Sequence, residues 1–195
     1  MTLPIRPATR ADARALAKLI DIAGEGIPSW LWSRQTGDDE TPLDIGESRA
    51  ARESGGFSYT NAHVIDHDKQ PVGMLLSYAI DTAPIDDPND LPAPIAPFVD
   101  LEAQSVGTWY INALAVLPGY RDRGLGSALL SHAEALAKTA GHKTMSIQVY
   151  GQNTPALRLY ERNGYAQTAS APVRDHPCQP YYGGDVLLLM KRLAD

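Results

Sequence analysis

Residues 118–127 read Pro-Gly-Tyr-Arg-Asp-Arg-Gly-Leu-Gly-Ser. The apolar run before them, 108–116, predicts a buried strand, and the run after them, 124–140, has leucines at helical spacing. Glycines at a helix start let the backbone approach a ligand, while the first amides and the positive end of the helix dipole attract phosphate oxygens. The stretch therefore predicts a binding site for a pyrophosphate group.

Two nucleotide-binding motifs can be excluded for this stretch. A dinucleotide fingerprint would need a third glycine where the chain has Leu129, and a P-loop would need Gly-Lys-Ser/Thr. Gly-rich turns between a strand and a helix are common, so a tight turn without a ligand remains the alternative for this fragment taken alone.

The rest of the chain alternates strand-like and helix-like segments. A short N-terminal strand precedes a helix over 11–23, and the segment 24–32, which holds two tryptophans, reads as irregular. The remaining predicted elements are a weak helix over 43–53, a hairpin of strands 61–66 and 72–78, a strand over 143–149, a helix from Thr154-Pro155 to Gly164, and strands 165–168 and 185–192.

The segment 81–102 differs in composition from its surroundings. It holds five prolines and six acids but no Lys or Arg. Because proline removes hydrogen-bond donors from a sheet, the segment predicts a long loop. Such a loop could form the wall of a ligand pocket and favour a cationic ligand, or it could be a solvated insertion, and the sequence leaves both open.

Composition narrows the function classes. The net charge of −6 argues against nucleic-acid and anionic-membrane surfaces, which depend on clustered Lys and Arg. Cys178 is the only cysteine, so no intramolecular disulfide can form, and its role stays open. With no signal-peptide pattern at the N-terminus and no apolar run near the ~20 residues that span a bilayer, we expect a cytoplasmic protein with no membrane association.

An ordered set of motifs resembles the GNAT superfamily of acetyl-CoA-dependent N-acetyltransferases. Arg121-x-x-Gly124-x-Gly126 matches the family signature Gln/Arg-x-x-Gly-x-Gly/Ala and follows the expected strand 112–116. A helix, a strand, Asn153 and the stretch 156–165 then appear in family order, and 5–12 looks like the family's first strand and helix. The resemblance is close over about 108–168 and looser elsewhere.

The resemblance implies an α/β fold of the α+β type. The GNAT fold has a mixed, mostly antiparallel sheet of about six or seven strands, with strands 4 and 5 splayed apart and helices on both faces. We expect one domain over 1–195 with the cofactor-binding core at 108–168. Final strands in such proteins often pair or swap between subunits, so a homodimer is possible, although the sequence does not establish it.

The same resemblance assigns residues to the reaction. The Tyr160 hydroxyl would protonate the departing sulfur, and the backbone amide of Leu114 or a neighbour would polarise the acetyl carbonyl. Without the motif, Tyr160 would read as a core tyrosine. The residues expected to bind acetyl-CoA are Leu114, Ala115, Val116, Arg121, Asp122, Arg123, Gly124, Leu125, Gly126, Ser127, Asn153 and Tyr160.

The general base is not identified by the resemblance. Relatives of the ribosomal-protein N-terminal acetyltransferases carry Glu on strand five where this chain has Gln148, which cannot usefully accept a proton, and this difference argues against acetylation of peptide N-termini. The candidate bases are Glu102, Asp100, Glu25 and His63, or a water ordered by Asn112 or Tyr110. For each acid, a solvated surface position is the alternative.

Residues that could line the acceptor pocket are Glu25, Trp30, Tyr110, Asn112, Gln148 and Tyr181. Trp30 and Trp32, like Tyr181 and Tyr182, could equally pack in the core or form a dimer contact. His63 and His67 flank Asp66 without a recognised ligand pattern, so we expect no metal site.

Three function classes follow from these patterns. The first is an enzyme that transfers the acetyl group of acetyl-CoA directly to a primary amine of a small molecule or peptide. A non-catalytic acyl-CoA sensor that keeps the cradle is the alternative, because the strand-five Glu is missing. An interaction module with an incidental glycine turn would not explain Asn153 or the ordered series of elements.

Overall fold

The computed structural model describes residues 3–83 and 91–194. These residues contain a seven-stranded sheet in the order β1-β2-β3-β4-β5-β7-β6. The strands are β1 Ile5–Pro7, β2 Ala62–His67, β3 Gln70–Ala79, β4 Trp109–Val116, β5 Thr144–Tyr150, β6 Ala166–Pro172 and β7 Asp185–Arg192. The α-helices are α1 Ala13–Ala23, α2 Ile27–Ser33, α3 Pro42–Ala50, α4 Ala96–Glu102, α5 Leu125–Thr139 and α6 Thr154–Arg162.

The sheet is mixed and mostly antiparallel, which confirms the predicted fold class. β4 and β5 are parallel, whereas β1 with β2, β2 with β3, β5 with β7, and β6 with β7 are antiparallel. The parallel register runs only from Trp109–Met145 to Ile111–Ile147, although β5 continues to Tyr150. At the start of this contact, the buried hydroxyls of Thr108 and Ser146 are hydrogen-bonded at 2.6 Å.

The described chain divides into two compact units, and β3 and β4 contribute residues to both. The expectation of a single domain stays a prediction. Unit 1 comprises residues 1–77 and 113–132, and its core joins α1 to α2, α3 and strand residues. Members of that core that are at most 3% exposed include Leu16, Leu19, Ile20, Trp32, Val64, Met74 and Leu76.

Unit 2 comprises residues 78–112 and 133–195. Its strands β5, β6 and β7 pack closely, and α4 lies against β6 and β7. Fully buried side chains in this unit include Leu101, Ile111, Met145 and Leu188. A hydrogen-bonded ion pair between Lys191 and Glu134 joins β7 to α5 within the unit.

Two sequence predictions are corrected by the observed elements. The segment predicted as irregular contains helix α2, in which Pro28 occupies the first turn, where its missing amide is not needed. Trp32 on this helix is 2% exposed and packs against Gly46 of α3, so it is a core residue rather than a pocket residue.

The predicted long loop over 81–102 is also corrected in its last third. Residues 96–102 form α4, with Pro97 again in the first turn of the helix. Residues 84–90 of the predicted loop lie outside the described residues. Asp100 and Glu102 therefore project from a helix rather than from a loop.

Candidate active site

The stretch that follows β4 in unit 1 has the backbone of an anion-binding cradle. After a short 3₁₀ turn at Pro118–Tyr120, Asp122 and Gly124 take the left-handed conformation, with φ of 60° and 77°. Helix α5 then begins at Leu125, and Ala128 N donates to Gly124 O at 3.0 Å. The first amides of a helix point out of its N-terminal end, so a phosphate bound at this turn could accept from them.

The space around this turn is open. A Cβ added to Gly124 would meet no heavy atom within 4 Å. An open left-handed glycine at the start of a helix fits a ligand that approaches the backbone, so the residues present fit a pyrophosphate group. The turn with glycines at the start of a helix was predicted from sequence, and the contact with a ligand stays a prediction.

Two arginines brace the cradle from within unit 1. Arg121 Nε donates to the carbonyl of Val116 at 3.1 Å, and Arg123 donates to the carbonyl of Gly119 at 2.9 Å. The Arg123 guanidinium also lies 5.2 Å from the ring centroid of Tyr120. These bonds fix the turn, and both cationic groups add positive charge beside it.

The end of β4 in unit 1 alternates in burial. Ala113 and Ala115 are buried, whereas Leu114 and Val116 are half-buried. The family resemblance implies that the backbone of Leu114, Ala115 and Val116 pairs with the pantetheine arm of acetyl-CoA, and this backbone has the extended form that such pairing requires. Those pairings themselves stay a prediction.

Three other candidates also lie in unit 1. Trp30 is half-buried on α2 with the Arg34 guanidinium 5.1 Å from its ring centroid, and Glu25 is in the turn before α2 with φ of 54°. The His63 ring lies edge-on to His132 with centroids 4.6 Å apart. Burial, and then the neighbouring His132, lowers the pKa of His63 to about 4, so it is a poor proton acceptor near neutral pH.

The predicted acid lies in unit 2, on α6. Tyr160 is 6% exposed, and its ring is edge-on to Tyr165 at 6.1 Å between centroids. Asn153 is the N-cap of this helix, since its Oδ1 accepts from Ala156 N at 3.2 Å. Helix α6 thus begins at Thr154, as predicted, and a contact of Asn153 with pantetheine stays a prediction.

A second cluster in unit 2 gathers Tyr110 and Asn112 of β4 with Tyr78 of β3 and Glu102 of α4. The Asn112 amide donates to the Tyr78 hydroxyl at 3.2 Å, and the two tyrosine rings meet edge-on at 5.9 Å. Burial raises the pKa of both phenols, and the charge of Glu102 raises it further. Burial likewise raises the pKa of Glu102 above its ordinary value.

Gln148 of β5 connects this region to α4. Its Nε2 donates to the carbonyl of Phe98 at 3.0 Å, while its buried Oε1 has no partner among the described residues. The Phe98 ring lies edge-on to the ring of Tyr150. The ring centroid of Tyr150 also lies 4.9 Å from that of Tyr181. Tyr181 therefore belongs to an aromatic group whose polar neighbour is Gln148.

Sequence reasoning missed Tyr78, Phe98 and Tyr150. A signal was present for Phe98, because it lies four residues before Glu102 and would share its face once 96–102 is read as a helix. The prolines of the segment obscured that spacing. Tyr78 and Tyr150 are contacts across the sheet, for which a single sequence gives no signal.

The model of the Acetyltransferase (GNAT) family matches residues 24–165. The chain belongs to the GNAT acetyltransferase family. The predicted family is therefore confirmed, and the cradle at 121–127 lies inside the matched region. The match to the family model also includes α4, Gln148 and Tyr160.

Similar proteins carry acetyltransferase names. A streptothricin acetyltransferase of Streptomyces lavendulae is 36% identical over 56 residues, which cover 29% of this chain and 30% of that protein. A mycothiol acetyltransferase of Clavibacter sepedonicus is 41% identical over 59 residues, covering 30% of this chain and 19% of the relative. The matched segments thus span less than a third of either relative.

Solved structures agree on the fold. An N-acetyltransferase from Staphylococcus aureus Mu50 has a TM-score of 0.66 at 20% identity and covers 96% of this chain and 99% of its own. The PaiA N-acetyltransferase from Thermoplasma acidophilum, in complex with coenzyme A, has a TM-score of 0.57 at 16% identity. That match covers 99% of this chain and 100% of the PaiA chain. These likenesses support the GNAT fold at identities too low to transfer a substrate.

Residues 3–83 and 91–194 were compared with the requirements of a membrane-spanning helix and of a metal site, and they meet neither. No helix in these ranges is long and apolar enough to cross a membrane. The same ranges contain no group of three or more His, Cys, Asp or Glu side chains arranged to hold a metal ion.

Proposed function

We propose that this chain transfers the acetyl group of acetyl-CoA directly to a primary amine of a small molecule or peptide. The open left-handed turn at Gly124, placed ahead of α5, carries this proposal, because it offers backbone amides to a pyrophosphate. Membership of the GNAT family supports coenzyme A as the pyrophosphate-bearing molecule.

Acetyl-CoA supplies an acetyl group activated as a thioester. In the reaction, a C–N bond to the acceptor amine forms and the C–S bond of the thioester breaks. The ammonium nitrogen loses two protons, one of which is transferred to sulfur and the other to solvent. The amides of 121–127 hold the pyrophosphate, and the Leu114 amide donates to the carbonyl oxygen. The Tyr160 hydroxyl delivers the proton to sulfur.

The test is a thiol-release assay with acetyl-CoA and a panel of polyamines, aminoglycosides, amino acids and short peptides. Tyr160→Phe should lower kcat about 100-fold without weakening CoA binding, because it removes only the proton donor. Tyr165→Phe is the matched control, since it deletes a second buried hydroxyl next to the same ring. Equal losses in both variants would show that the effect is structural.

The second candidate is an acyl-CoA sensor without turnover. Its support is the engagement of Gln148 in a bond to Phe98, at the position where related enzymes carry Glu. Micromolar CoA binding without turnover of any amine in the panel would favour the sensor. Absence of CoA binding would contradict both candidates.

A further inference from the structure

Glu102 is a half-buried carboxylate at the C-terminal end of α4. Within residues 3–83 and 91–194, it has neither a hydrogen bond nor an ion-pair partner. Removing an ionised carboxylate from water without a partner is strongly unfavourable. An acid that the fold leaves unpaired is therefore suited to pair with a cation supplied by a ligand.

Two phenols among the described residues respond to the charge of Glu102. Tyr78 on β3 and Tyr110 on β4 each respond to the charge of Glu102, which raises the pKa of both. Both phenols stay protonated near neutral pH and carry no compensating positive charge. They can donate hydrogen bonds, but they cannot neutralise the carboxylate.

Gln148 of β5 is hydrogen-bonded to the helix that carries Glu102. The Gln148 amide donates to the Phe98 carbonyl at 3.0 Å, and an ionised Glu in its place would put two acceptor oxygens against each other. Phe98 and Glu102 are four residues apart on α4, so they share one face of the helix. Gln148 thus holds the helical turn from which Glu102 projects.

The other candidate bases are less suitable. Asp100 lies two residues before Glu102 and therefore projects from a different side of α4. His63 has its pKa lowered to about 4 by burial and by His132, which makes it a weaker acceptor than a carboxylic acid of raised pKa. Neither has a charge that acts on Tyr78 and Tyr110, as the charge of Glu102 does.

We propose that Glu102 is the catalytic base, that the acceptor is a cationic amine, and that Gln148 is a positioning residue that holds α4. This inference rests on the acetyltransferase activity proposed above. Glu102 takes one proton from the acceptor ammonium, which leaves a neutral amine with a free lone pair. The proton then passes from Glu102 to solvent, so the carboxylate is regenerated in each cycle.

The first experiment compares two amines in the wild type and in Glu102→Gln. Putrescine is protonated at pH 7 and needs a base, whereas trifluoroethylamine is largely neutral. Glu102→Gln should lower kcat/KM about 100-fold for putrescine and only a few-fold for trifluoroethylamine. Equal losses for the two amines would overturn the role of Glu102 as base.

The second experiment tests the positioning role by the pH profile. Because Glu102 must be ionised to act, kcat/KM falls as the pH drops through its pKa. Gln148→Met deletes the bond to Phe98 and should lower kcat about 10-fold. Because the carboxylate becomes more exposed, the acid limb should also move to lower pH.

Gln104→Met is the matched control for Gln148→Met. It also deletes a bond from a glutamine side chain to a backbone carbonyl of α4, that of Asp100, but at an exposed position. The control should keep the wild-type acid limb. An acid limb that stays in place in Gln148→Met, or moves in both variants, would overturn the positioning role.

A binding measurement covers the case in which neither amine is acetylated. With saturating CoA, putrescine binding is measured by calorimetry in the wild type and in Glu102→Gln. Weaker binding in the variant, by about 10-fold or more, would support Glu102 as the partner of the cation even though the proposed activity had failed. Equal binding, or none to the wild type, would overturn the cation site itself.

Discussion

Gly124→Glu gives the sharpest test of the cradle, and Gly141→Glu is its control. Both glycines flank α5, with φ of 77° and 83°, and a Cβ at either would meet nothing within 4 Å. The backbone strain added by a side chain should therefore be similar at the two sites, about 1–2 kcal/mol. For a chain of this size, that corresponds to a loss of about 2–8 °C in Tm.

The two variants should differ in CoA affinity. A carboxylate about 5 Å from a phosphate charge, at an effective dielectric constant of about 20, opposes binding by about 3 kcal/mol. Gly124→Glu should therefore raise the Kd for CoA about 100-fold, whereas Gly141→Glu should leave it within a few-fold of the wild type. The helix dipole stabilises an acid at the N-terminal end of a helix and destabilises an acid at the C-terminal end, so Gly124→Glu should be the more stable of the two variants. A loss of CoA affinity that is seen only in Gly124→Glu therefore cannot be attributed to lower stability.

Isothermal titration with CoA and thermal unfolding of both variants would decide the question. If both variants bound CoA like the wild type, the turn at 121–127 would not be the pyrophosphate site. If both lost affinity together, the effect would be one of folding, and the reasoning from the open glycine would fail.

Two further predictions concern stability. Gly46→Ala should lower the free energy of unfolding by about 1–3 kcal/mol, because the new Cβ would lie 2.5 Å from the Trp32 ring. Gly183→Ala is the control, since its Cβ would enter open space and should leave the free energy of unfolding nearly unchanged. Both values are measured by urea titration. For His63, a pKa lowered on folding from 6.5 to about 4 means that the stabilisation is complete above pH 6.5 and is lost as the pH falls toward 4. Discounted for the partial exposure of His63, the loss of stability is about 1–2 kcal/mol. The free energy of unfolding in urea should therefore fall less between pH 7 and pH 4.5 in His63→Gln than in the wild type. An equal fall in the two proteins would contradict this reading of the His63–His132 pair.

The sequence was most informative where structure is decided by neighbouring residues. The turn at Gly124, the end of α5 at Gly141 and the start of α6 near Pro155 each follow from glycine or proline at a position with a defined backbone requirement. The order of strands and helices between 108 and 168 followed from periodicity and from the family resemblance. Both signals are local in the chain.

The surroundings of the candidate pocket residues were less predictable, because they depend on contacts between residues distant in the sequence. Helix α4 was missed, since the prolines of 81–102 suggested a loop and Pro97 is tolerated only as a first-turn residue. The bond from Gln148 to Phe98 joins residues 50 positions apart, and the packing of Trp32 on Gly46 joins two helices. Neither has a signature in one sequence.

The hydroxyl pair of Thr108 and Ser146 has a consequence for the alignment of β4 with β5. Only three residue pairs are in parallel register, so the backbone alone distinguishes weakly between this alignment and a shifted one. A shift would separate the two buried hydroxyls, which now lie 2.6 Å apart. Thr108 would keep its 2.7 Å bond to the Ser105 carbonyl, but the buried Ser146 hydroxyl would lose this partner. The pair thus favours one register of β4 against β5 through polar chemistry at a single point of the contact.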